Sequence, residues 1–87
     1  MKDKNMADRT LTLDKAPAET RVAVMRIEGG WGVRRKINHM GIHTGDFLIV
    51  KRSGAMGGPM LVRTSTGEVA VGRGLAGHLV VEVQNES

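Results

Sequence analysis

RRKINHMGIHTGDFLIV, residues 34–50, is the stretch on which the reading of this chain turns. Val33, just before it, together with Ile37 and Met40 lies at i, i+4 and i+7, which puts three apolar side chains within about 60° of one helical face. Gly41 follows at the position where a helix ends most cheaply in a left-handed residue. The spacing therefore predicts a short amphipathic helix over 32–40. Thr44-Gly45-Asp46 then turns the chain into FLIVKR, residues 47–52, a strand.

Outward from this centre the chain reads as β structure. RVAVMRI, residues 21–27, is rich in β-branched and apolar residues and is broken by Glu28-Gly29-Gly30. SGAMGGP, residues 53–59, holds three glycines and a proline and predicts a loop or hairpin tip. Strands are predicted over 60–64 and 68–71, joined by Ser65-Thr66-Gly67. LAGH, residues 75–78, can form one helical turn before the alternation of Leu79, Val81 and Val83 with Val80, Glu82 and Gln84 marks a fifth strand. Near the start, Thr12 can cap a short turn through Leu13–Ala16 that Pro17 ends. The fold class is mainly β with short helices, a small, bent five-stranded sheet or barrel. It spans 11–84, between a flexible tail at 1–10 and a second at 85–87.

Composition narrows the function. Eighty-seven residues make one domain, and the absence of cysteine removes disulfides, thiolate zinc sites and cysteine nucleophiles together. The N-terminal MKDKNMADR has mixed charge and no apolar core, so it does not read as a signal peptide. No apolar run is long enough to cross a bilayer. These features point to a cytoplasmic protein with no membrane insertion.

A net charge of +4 suits an anionic partner. Trp31 and Phe47 are the only aromatic residues, so platforms for stacking bases are scarce and nucleic acid is disfavoured as a partner. A basic barrel touching phosphates alone remains the runner-up. Exposed strand edges allow weak self-association, for which a dimer is the commonest closed form.

The candidate sites are few. His39 and His43 have the i, i+4 spacing of helical metal ligands, but Gly41 ends the helix between them, and no metal site is assigned. A metal sensor would need His39, His43 or His78 to meet carboxylates. Ser53 and Ser65 have no histidine or carboxylate placed by a motif, and the carboxylates are scattered singly, so no enzyme chemistry and no cofactor are expected. Arg34, Arg35 and Lys36 cover the flank and back of the helix as an acidic-docking surface. Met56, Gly57, Gly58 and Pro59 form a glycine-rich loop with an adaptable apolar contact.

In this order, a strand ending in a Gly-rich turn, then RRKINHMGIHTGDFLIV, a loop ending in GGPMLV, and EVAVGRGLAGHLVVEV resemble the FeoA family of ferrous iron transport proteins from Leu11 to Val83. The resemblance implies an SH3-like barrel. It also implies a small cytoplasmic accessory protein of bacterial ferrous iron uptake, acting on a membrane transporter that carries a cytosolic G-protein domain. Iron would then be the cargo of the pathway rather than a ligand of this chain.

Overall fold

The structure is a computed structural model that describes residues 9–84. Six strands form one sheet: β1 Thr10–Thr12, β2 Thr20–Ile27, β3 Phe47–Arg52, β4 Met60–Thr64, β5 Gly67–Val71 and β6 Leu79–Val83. Their spatial order is β1-β6-β2-β3-β4-β5, and every neighbouring pair is antiparallel. Two helices interrupt them, α1 Trp31–His39 and α2 Arg73–Ala76.

The count of five strands is corrected to six. Thr10–Thr12 pairs with Glu82–Val80, so Thr10 is part of the sheet rather than of a tail. The rest of the expected tails, apart from Arg9, lies outside the described residues. The turn after β1 is a 3-10 turn over Leu13–Lys15, and Thr12 makes no side-chain cap; its backbone is committed to the strand instead.

β2 makes the sheet curl. Its first half, Thr20–Ala23, pairs with β3, while Val22–Ile27 pairs with β6. A bulge between Val24 and Arg26 leaves Met25 and Arg26 both exposed and returns Ile27 to the inside. Such an extra residue bends a strand and increases its twist. A second irregularity between Val50 and Arg52 does the same for β3 against β4. The inward positions then converge on one core, in which Leu13, Val22, Val24, Leu48, Val50, Met60, Val62, Val71, Leu79 and Val81 are fully or almost fully buried. Val80 is buried as well, although the alternation places it on the other face.

α1 connects β2 to β3 and closes one end of the barrel. Its exit is a Schellman motif: the Ile42 N–H donates to Ile37 O at 3.4 Å and the Gly41 N–H to Asn38 O at 2.9 Å. Gly41 has φ 87°, the left-handed residue that the sequence requires there. A methyl on it would come within 3.1 Å of Thr66 Oγ1, so the helix exit lies against the β4–β5 turn. The next turn is fixed by Asp46, whose N–H donates to His43 O at 3.0 Å and whose carboxylate accepts the His43 N–H at 2.8 Å. Gly45 sits in it with φ 95° and donates to Val24 O, which ties the turn to β2.

Ile37 is the one buried residue of α1, with Val33 and Met40 only partly covered. Ile37→Ala is therefore expected to cost about 2–5 kcal/mol of stability. Urea unfolding of the variant checks this, and a loss under 1 kcal/mol would mean that α1 is not anchored by that side chain.

Candidate functional site

The outward face of α1 carries Trp31, Arg34, Arg35, Asn38 and His39. At 100° per residue Arg35 and His39 lie opposite the buried Ile37, while Trp31, Asn38 and Arg34 run down one flank about 120°, 100° and 60° from it. Trp31 is 73% exposed, and the Arg35 guanidinium lies over its ring at 5.1 Å from the centroid. That is a cation–π contact one turn along the helix. A tryptophan left this open is unusual, since burying an aromatic side chain is worth more than burying almost any other.

Two shallow hollows meet on this face and share Arg34 and Asn38. One, of about 320 Å³, is completed by Trp31, Arg35 and His39. The other, of about 380 Å³, is completed by Arg26, Ile27, His43 and Thr44. In the second hollow Arg26 is paired with Glu28 at 2.8 Å, and His43 Nδ1 lies 3.4 Å from Asp46. Arg34 and Arg35 make no ion pair among the described residues. The uncompensated charge of the face is therefore theirs.

Lys36 does not belong to this patch. At 100° per residue it lies about 160° around the helix from Arg34, and it lines neither hollow. The three consecutive basic residues are thus Arg35 on the outward side, Arg34 on one flank and Lys36 on the other.

Met56, Gly57, Gly58 and Pro59 lie at the far end of the β3–β4 hairpin. Six residues of β3 separate the two ends, about 20 Å of strand. The Met56 side chain is fully exposed, and its backbone is left-handed at φ 55°, ψ 38°. So the structure keeps the two expected contact surfaces apart.

The loop is held by a residue that sequence reasoning did not single out. Arg73, the first residue of α2, donates through Nε to Gly58 O at 3.2 Å, through Nη1 to Asp14 O at 2.8 Å and through Nη2 to Gly54 O at 2.8 Å and to Ser53 O. One guanidinium thus joins the 53–59 loop to the Leu13–Lys15 turn through four carbonyls. Because those acceptors are backbone atoms, no side-chain motif announces them.

The three histidines do not converge. His39 is on α1 and His43 is in the turn with Asp46. His78, before β6, lies where a methyl on Gly29 would come within 3.0 Å of its Nδ1. Among the described residues no three of His, Asp or Glu come together as a metal site would require.

The sequence pattern of the FeoA domain matches residues 11–83. The chain belongs to the FeoA family. It is 38% identical over 61 residues to a Methanocaldococcus jannaschii protein provisionally named Fe(2+) transport protein A, covering 70% of this chain and 72% of that one. Its fold is similar to the solution structure of a FeoA-like protein from Clostridium acetobutylicum, with TM-score 0.81 and 28% identity over 91% of this chain and 92% of that one. A crystal structure of an iron uptake regulatory protein, FeoA, matches with TM-score 0.79 and 28% identity over 86% and 97% of the two chains. The six-stranded sheet is therefore the FeoA version of an SH3-like barrel, and its family is one of ferrous iron transport, not a known enzyme family. No helix among the described residues is long and apolar enough to cross a membrane.

Proposed function

We propose that this FeoA-family chain is a cytoplasmic accessory protein of ferrous iron uptake that docks on the cytosolic G-protein domain of the membrane iron transporter. The contact is made by the Trp31–Arg34–Arg35 face of α1. What supports this is the exposed tryptophan flanked by two arginines that have no carboxylate partner among the described residues. Tryptophan and arginine are the residue types that carry most binding energy at protein interfaces. An acidic surface on the partner would complete both guanidinium groups and cover the indole.

The test is titration of the purified cytosolic domain with the wild-type chain and with Arg34→Glu/Arg35→Glu. We expect the double reversal to weaken binding at least 30-fold, about 2 kcal/mol, and Lys36→Glu to change it less than threefold. Random duplex DNA is the parallel ligand. Binding to DNA and not to the domain would transfer the face to phosphate recognition, with affinity falling steeply as salt rises. Equal binding by wild type and double variant would remove α1 from the contact.

A further inference from the structure

The end of the barrel opposite α1 holds a hollow of about 660 Å³ between the 53–59 loop and the outer face of β4 and β5. Ala18, Pro59, Leu61 and Ala70 give it apolar walls, and Lys51 and Arg52 line it as the only charged residues. Neither cation makes an ion pair among the described residues. From this pairing of apolar wall and unpaired positive charge we infer a second docking site. It takes a segment of a partner protein that presents an apolar side chain between carboxylates.

The site is built rather than accidental. The 53–59 loop holds Met56, a non-glycine residue, at φ 55° between Gly54 and Gly57, which adopt positive φ freely. Arg73 supports it from below, fixing the carbonyls of Ser53, Gly54 and Gly58 and so the shape of the wall.

Charge decides between occupants. A second copy docking symmetrically through this face would bring another Lys51 and Arg52, on a chain of net charge +4, against the same rim. Like charges directly opposed destabilise such a contact, whereas carboxylates on either side of an apolar residue satisfy it. This site stands independently of the docking proposed for α1, since the two lie at opposite ends of the β3–β4 hairpin.

The full chain, labelled with nitrogen-15, is titrated with three eight-residue peptides: alternating leucine and glutamate, alternating leucine and lysine, and alternating serine and glutamate. Amide shifts are read throughout. The expected result is saturable movement of Lys51, Arg52, Gly54, Leu61 and Ala70 with the leucine–glutamate peptide. The serine–glutamate peptide is expected to move at most the α1 amides, and the leucine–lysine peptide neither. Lys51→Glu/Arg52→Glu, two changes outside the core, should weaken the groove response at least tenfold while leaving the rest of the spectrum in place. No groove response, or an equal one to the other two peptides, would overturn the inference. Groove shifts that depend on protein concentration alone would also overturn it, by making a second copy the occupant.

Discussion

Gly54→Ala is expected to lose about 2–4 kcal/mol of stability, with a fall in Tm of about 10–25 °C. Two separate effects add. Gly54 has φ 74°, a region that costs an L-residue about 1–2 kcal/mol. Its Cβ would also stand 2.3 Å from Gly58 O and 2.4 Å from Pro59 O, both backbone atoms that no rotamer change can move. The loop must then open, and the Arg73 bonds to Gly54 and Gly58 open with it. Gly45→Ala is the matched control: φ is again positive at 95°, but nothing lies within 4 Å of the added methyl. It should cost only the backbone part, about 1–2 kcal/mol. Thermal unfolding of the two variants side by side separates the effects, and equal losses would show that the close approach at Gly54 relaxes freely.

The second large effect is expected at Arg73. Arg73→Met keeps much of the side-chain volume but removes every donor to Ser53, Gly54, Gly58 and Asp14. Charge-assisted hydrogen bonds are each worth about 1.5–3 kcal/mol when fully made. Arg73 is only partly buried, and water can re-solvate some of the freed carbonyls, so the sum is set at about 2–4 kcal/mol. Arg73→Lys should recover less than half of this. An ammonium offers three donors from a single point, and cannot span the carbonyls of the 53–59 loop and of Asp14 as a planar fork does. Beyond stability, amide exchange in residues 53–58 should speed up at least tenfold in both variants, with α1 unaffected. A wild-type melting curve for Arg73→Met would show that α2 and the 53–59 loop hold their places without the guanidinium.

What the sequence reveals depends on how local the determining interactions are. The exit of α1 is legible because Ile37, Met40, Gly41 and Ile42 settle it among themselves, through a cap only a few residues wide. The Thr44-Gly45-Asp46 turn is legible for the same reason. β1 is not, since Thr10–Thr12 has one apolar residue and becomes a strand only by meeting Val80–Glu82 at the other end of the chain. The bulge at Met25 is likewise a consequence of β2 serving two partners. The separation of Lys36 from Arg34 was available from helical spacing alone, had the three basic residues been placed by angle and not by adjacency. Trp31 and Arg73 lie beyond sequence reasoning. The exposure of one follows from how α1 is rotated against the core, and the partners of the other are main-chain carbonyls.

The contact through α1 is tested most directly by adding the unlabelled cytosolic domain of the iron transporter to the nitrogen-15-labelled chain and mapping which amides broaden or move. The account predicts a footprint over residues 31–39 together with Arg26 and the His43–Thr44 turn, centred on Trp31, whose indole N–H should shift most. A footprint confined to β1, to the β4–β5 turn or to the Lys36 flank, with the Trp31 indole unmoved, would contradict it.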